Sequence, residues 1–413
     1  MKPRTGTIAA LDIGTTKLCC FIARTDTHGE TRVVGIGHQI AHGLRNGSII
    51  DMEAAEASIL SAVSTAEQMA GETIDHIIVN LSGGRQTSHN TSIDVSISGH
   101  EITDSDLRLA FQKGSENIGT GDREIIHAAP VNYSIDGSPP IRDPRGMVGE
   151  RLRVNMHIIT ADAGAVRNLA NCISRCHLKI EEIVPSPYAA GLACLVEDEI
   201  DLGVTCIDMG GGTTSLSVYY DGNLVRTDSI PIGGAHVTGD IARGLSTTLA
   251  HAERLKTLYG NALPSETDSN ESIDVPLIGE TSHSQANHVP KSLLIGILRP
   301  RLEEILEMIR DRLEASGFDK IAGQRVVLTG GASQMQGICE LAATILDKHV
   351  RLGKPIRTIG IAEATGGPAF SVCAGLLAHA VRSRAESRVK GRGLLEEPGG
   401  FIGRLGFWLR ECF

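Results

Sequence analysis

The chain has 413 residues, enough for two or more domains with their own cores, and 41% of them are apolar, an ordinary share for a globular protein. A formal net charge of -10 argues against a general nucleic-acid binder, which would want a basic stripe. Nine scattered cysteines, mostly inside apolar stretches, read as buried thiols rather than a disulfide framework.

In chain order, Thr7–Asp12 and Leu18–Arg24 read as strands flanking a Gly-Thr-Thr turn, and Arg32–His38 as a third strand. Met52–Gly71 repeats apolar residues at helical spacing, and His76–Leu81 returns to strand. From Gly83 to about Thr160 the character changes: alternation over Ser92–Ser98, a helix capped by Thr103, and two strands around a Pro/Gly-rich turn suggest a compact insert. Helix, strand and helix resume over Asp162–Val196. The second half repeats the plan with strands in Val204–Tyr220 and Asn223–Pro231, then one helical stretch, Ala235–Tyr259. Polar Asn261–Val289 suits a hairpin or exposed loops. Leu293–Glu314 reads as helix, Arg325–Thr329 as strand, and Gln336–Asp347 as helix after a Gly-Gly turn. The longest nearly apolar run, Ala369–Val381, has 13 residues, too few to span a bilayer.

The two halves share a written turn, ALDIGTTK from Ala10 and CIDMGGGTTS from Cys206. Glycine and threonine in a tight hairpin can aim backbone N–H groups and hydroxyls at phosphate oxygens. Asp12 and Asp208, each ending the preceding strand, are placed to hold Mg²⁺ through water. Lys17 can supply a fixed positive charge to the β- or γ-phosphate. The pair predicts one clamp made of two turns. Neither is a Walker loop or a dinucleotide fingerprint. A third element, VVLTGGAS, ends in Gly330 and Gly331, where backbone can lie against an adenosine. A fourth, AHAERLKTLYG, puts Glu253 and Lys256 one helical turn apart, within reach of a ribose and an adenine edge.

DIGTTK, DMGGGTTS and TGGAS together resemble the ATPase fold shared by actin, Hsp70 chaperones and sugar kinases. Within it, GDREIIHAAPVNYSIDG with DPRGMVGERL, IPIGGAHVTGDIA, ILRPRLEEIL and the aromatic C-terminus resemble the FtsA family of bacterial cell-division proteins. The resemblance implies an α/β actin/Hsp70-like fold with four subdomains. Subdomain 1A would be residues 1–83 with 161–200, 1C the insert 84–160, 2A residues 201–245 with 321–385, and 2B residues 246–320. It implies ATP and Mg²⁺ as ligands, with contacts at Gly14, Thr15, Thr16, Lys17, Gly210, Gly211, Gly212, Thr213, Gly234, Glu253, Lys256, Gly330 and Gly331. It also implies a filament of like subunits, later division proteins on the insert, and an FtsZ C-terminal tail docked on the 2B helix carrying Arg301 and Glu304. Ser186 falls where Hsp70-like hydrolases carry a carboxylate, so at most slow ATP turnover is expected.

Aromatics make up 3% of the chain, yet Phe401, Phe407, Trp408 and Phe413 crowd into its last thirteen residues. Wound as a helix after a linker at 386–399, residues 400–413 place Phe401, Ile402, Leu405, Trp408, Leu409 and Phe413 within about 140°. Arginines take the other side. That pattern describes a helix lying on an anionic membrane surface, which the family resemblance implies is the cytoplasmic face of the inner membrane. One such tail would hold weakly and a filament of them well. The alternatives are a type IV pilus-type actin-like scaffold, which needs no tail of its own, and a sugar-kinase-like phosphotransferase.

Overall fold

A computed structural model describes residues 6–26, 30–118, 121–279, 287–356, 360 and 365–389. The first half opens with β1 (Thr7–Ile13), β2 (Lys17–Thr25) and β3 (Thr31–Ile40), a small hairpin of β4 (Leu44–Arg45) and β5 (Ser48–Ile49), α1 (Met52–Ala70) and β6 (His76–Leu81). The insert contributes β7 (Thr87–Ser96), α2 (Asp104–Asn117), β8 (Arg123–Ile135) and β9 (Arg151–Asp162). The first half then closes with α3 (Ala163–Arg175), β10 (Lys179–Pro185) and α4 (Ser186–Cys194), and α5 (Glu197–Leu202) leads across.

The second half holds β11 (Val204–Met209), β12 (Thr214–Tyr220), β13 (Asn223–Ile230), α6 (Gly234–Gly244), α7 (Leu249–Tyr259), β14 (Ser272–Val275), β15 (Asn287–Pro290) and α8 (Lys291–Ser316). It ends with β16 (Arg325–Thr329), α9 (Ile338–Leu346), β17 (His349–Leu352) and α10 (Ser371–Val389). The two large sheets are the same sheet built twice. One runs β10-β6-β1-β2-β3, the other β17-β16-β11-β12-β13, and in both the first three strands along the chain are antiparallel while the rest join in parallel.

Each sheet is apolar on both faces, so each must be covered twice. The outer face of the first packs on α1 and α3, through Ile59, Val63, Val166 and Leu169. The outer face of the second packs on α6, α8 and α9, through Val237, Leu298, Ile305 and Leu341. The inner faces share one core built around α4 and α10, including Ala189, Ala193, Cys373 and Leu377. Gly375 lets that helix pair cross closely: a side chain there would collide with the Ala189 carbonyl.

The insert has its own core of Ile93, Val95, Leu107, Phe111, Val154 and Met156 under a β7-β9-β8 sheet. It leans on the second half. The Thr227 N–H donates to Ser88 Oγ (3.3 Å) and Asn90 Nδ2 donates to the Val225 carbonyl (3.3 Å). Ser88 also pairs with His157 Nε2 at 2.5 Å, and burial, with Arg226 and His89 adding to it, pushes that imidazole down to about 3.

Two expectations change. Ala235–Tyr259 is two helices, because Ser246 adopts a left-handed backbone (φ 51°) and Thr248 caps a new start by accepting from the His251 N–H. The first four residues of the expected 386–399 linker belong to α10, which continues to Val389; its Arg, Ala and Glu residues favour helix and no breaker intervenes, and residues 390–399 lie outside the described residues. The expected tail residues Phe401, Ile402, Leu405, Trp408, Leu409 and Phe413 lie outside the described residues. No helix among the described residues is long and apolar enough to cross a membrane.

The α4–α10 crossing gives a first prediction. Gly375→Ala adds a methyl group against backbone that no rotamer change can relieve. It is expected to cost about 2–3 kcal/mol in chemical denaturation.

Candidate functional site

The two glycine turns are superimposable in their bonding. In the first, Gly14 N–H donates to the Lys17 carbonyl (3.1 Å); in the second, Gly210 N–H donates to the Thr213 carbonyl (2.9 Å). Asp12 pairs across its hairpin with Cys19, and Asp208 with Ser215, at matching positions. The turns meet face to face. Any side chain on Gly211 would collide with Thr16, and any on Gly212 with Thr15. The sequence pair thus becomes one spatial seam, and a polyphosphate could enter between the turns only if the halves part.

Asp12 is buried, and Asn80 at the end of β6 holds it. Asn80 Nδ2 donates to Asp12 Oδ1 (2.8 Å) while Asn80 Oδ1 accepts the Ile13 N–H (2.6 Å). The same amide donates to Ser186 Oγ (3.0 Å), and Ser186 in turn donates to the Leu81 carbonyl (2.9 Å). Ser186 therefore serves as a brace for Asn80, which a hydroxyl can do and which leaves no carboxylate at that position. Burial pushes the Asp12 carboxyl up to about 6, against the opposing pull of Lys17 and the Asn80 hydrogen bond. Asp208 is pushed up to about 7 by burial and by the Asp12 charge, with Lys17 again opposing. Two carboxylates in mutual repulsion beside one ammonium are a site where a further cation is stabilising.

On the second half, α6 begins directly against its turn: Gly234 N–H donates to the Gly210 carbonyl (2.9 Å) and Ala235 N–H to that of Gly211 (2.7 Å). Glu253 and Lys256 reach the same place. Lys256 Nζ donates to Glu253 Oε2 (2.6 Å), Thr238 Oγ1 (2.8 Å) and the Gly234 carbonyl (3.2 Å). Gly330 has φ 88° and sits so close to Asp208 that a side chain would collide with its carboxylate, which only glycine avoids. Gly331 opens the short 3₁₀ turn beyond it. Behind Asp12, a cavity of about 190 Å³ is lined by Ile13, Ser48, Asn80, Ser82 and Asn168.

Arg301 and Glu304 lie apart from this site, on α8. Arg301 is already engaged, donating to Asp240 on α6 (Nε to Oδ2, 2.6 Å) and pairing with Glu304. Burial pushes the Asp240 carboxyl up, but hydrogen bonds from Arg301 and Arg243 outweigh it and hold it below the usual carboxylate range.

Sequence reasoning missed Asn80, the Thr238 bridge and the segment around Phe370. Only Asn80 left a signal, as the one amide in the apolar strand HIIVNL.

A sheet built twice, sharing a helix pair and meeting at two glycine–threonine turns, is the fold of the actin-like ATPases. A solved structure described as the PilM-PilN type IV pilus biogenesis complex matches 91% of this chain and 99% of its own at TM-score 0.65 and 17% identity. MreB5 of Spiroplasma citri bound to ADP matches 94% and 100% at TM-score 0.56 and 14% identity. The family model for "Cell division protein FtsA" matches residues 205–375, and that for the "SHS2 domain inserted in FTSA" matches residues 83–160. The cell division protein FtsA of Rhizobium meliloti (strain 1021) is 44% identical over 422 residues, covering 99% of this chain and 96% of that protein. The chain belongs to the FtsA family of cell-division proteins.

The raised carboxylates carry a pH signature. Folded Asp12 and Asp208 keep protons to higher pH than the unfolded chain does, so their contribution to stability falls as pH rises from about 4 to about 7 and is then level. Asp12→Asn removes one such cost. Without nucleotide or divalent cation, the variant is expected to be more stable than the parent by about 3 kcal/mol at pH 8. That advantage should vanish by about pH 4, a difference read by denaturation at both pH values.

Proposed function

We propose that this chain binds Mg–ATP between its two turns, polymerises as an actin-like filament, and tethers the FtsZ ring to the cytoplasmic face of the inner membrane at the division site. The observation that carries the nucleotide reading is the facing pair Asp12 and Asp208 at the ends of equivalent strands. A hydrated Mg²⁺ takes one or two carboxylates and completes its shell with water and phosphate oxygens, which suits this pair. Gly14, Thr15 and Thr16 would take the phosphates from one side, with Lys17, and Gly210, Gly211, Gly212 and Thr213 from the other. Gly234, Glu253, Lys256, Gly330 and Gly331 would surround the nucleoside. The related fold of MreB5, solved with ADP, supports a nucleotide here. With Ser186 bracing Asn80 and no carboxylate in its place, turnover would be slow.

In this reading the body falls into subdomains 1A, 1C, 2A and 2B with the boundaries given above. The FtsZ tail would dock on α8 near Arg301 and Glu304. Beside them on the same helix, a cavity of about 280 Å³ lined by Pro264, Ser265, Asp268, Ile295, Arg299 and Pro300 offers apolar contact, with Arg299 paired to Glu303 at its edge. Later division proteins would use the 84–160 insert, and residues 400–413 would supply the membrane contact. A type IV pilus-type scaffold shares the fold, but the 44% identity to an FtsA over nearly the whole length favours division.

The test is co-sedimentation with anionic liposomes, comparing residues 1–413 with 1–399, each with and without Mg–ATP. Only the longer chain should pellet, and more with ATP. Trp408→Glu should release it while leaving ATP binding intact, and an FtsZ tail peptide should bind both chains alike. Equal pelleting of the two chains, or none, would overturn the tether.

A further inference from the structure

Residues Pro368–Phe370 form a short 3₁₀ turn that starts α10 and touches both halves at the seam. On the side of the second half, the Pro368 carbonyl accepts from the Gly330 N–H (3.1 Å) and from Thr329 Oγ1 (3.3 Å). On the side of the first, the Ala369 carbonyl accepts from Lys17 Nζ. The same ammonium stands 3.6 Å from the centre of the Phe370 ring. That ring is itself fixed, stacked on Phe21 (6.2 Å between centroids, 14° between planes) and met edge-on by His38 (6.0 Å).

Lys17 therefore has a carbonyl and an aromatic face as partners, in addition to the field of Asp12 and Asp208. An ammonium has three donors and one charge, and a cation over an aromatic face is attracted to it more strongly as water is excluded. A phosphate between the turns would compete with the ring and the Ala369 carbonyl for that one charge. We infer that Ala369 and Phe370 form a resting site for the Lys17 ammonium that competes with a phosphate of the bound nucleotide. Phe370 is then a positioning residue, acting through Lys17. It sets affinity for the polyphosphate and not for the nucleoside. This inference rests on the nucleotide reading proposed above.

The competition has a definite sign. Removing the ring weakens the resting contact and not the phosphate's hold on Lys17, so ATP binding becomes tighter; the lost packing on Phe21 and His38 does not depend on Lys17. If Lys17 instead stayed on the ring while holding the phosphate, removing the ring would weaken ATP binding.

The experiment is calorimetric titration of the full chain with Mg–ATP and with adenosine. Phe370→Leu should bind ATP about 2- to 5-fold more tightly than the parent, with adenosine unchanged, and Phe370→Tyr should restore the parental value. In a Lys17→Met background the Phe370→Leu gain should disappear, which separates the effect from any general change in packing. ATP binding that is unchanged or weaker in Phe370→Leu, an equal change for both ligands, or a gain that persists without Lys17 overturns the inference while leaving nucleotide binding standing. Failure of the parent chain itself to bind ATP overturns both.

Discussion

Two carboxylates of like charge are forced together where the halves of this protein meet, and the surrounding architecture is arranged to make that tolerable. Asp12 and Asp208 end equivalent central strands, so the duplicated sheet itself sets their positions. Neither can retreat: one is pinned by Asn80, the other crowded by Gly330. The cost of assembling such a pair in a poorly solvated place falls on the closed state. A bound divalent cation would reverse the sign of that contribution, and the same two residues would then draw the halves together.

That use of repulsion requires a stiff frame. Helices α4 and α10 supply it, packed against each other and against the inner faces of both sheets. The frame and the site are also continuous in the chain. Ser186, which braces Asn80, is the first residue of α4, and Phe370, under Lys17, immediately precedes α10. Each of the two central helices therefore starts at the seam and runs away from it into the shared core.

Much of this was legible in the residues, and the limits have a physical pattern. The strands around both turns, the helix Met52–Gly71 and the strand Arg325–Thr329 follow from local periodicity, and they occur where expected. The turns announced themselves because a motif that alone would pass for an ordinary hairpin turn occurs twice, each time between strands. What stayed hidden depends on partners far along the chain. Lys17 resting on residue 369, Ser88 accepting from Thr227, and Asn80 bridging residues 12 and 186 have no local signature. The break between α6 and α7 turns on one left-handed serine, which side-chain periodicity does not encode. Strand β17 and helix α5 are short elements secured by tertiary contact, β17 along β16 and Arg351 to Glu199.

The insert's lean against β13 has a mechanical meaning. It is covalently part of the first half, yet two of its polar side chains are hydrogen-bonded to the backbone of the second. A rotation that parted the glycine turns would carry β13 past Ser88 and Asn90. Those bonds must then break, or the insert must swing with the strand. Where the bonds hold, seam width and insert angle become a single coordinate, and a surface far from the phosphate turns would move like a needle on a dial whose spindle is the seam.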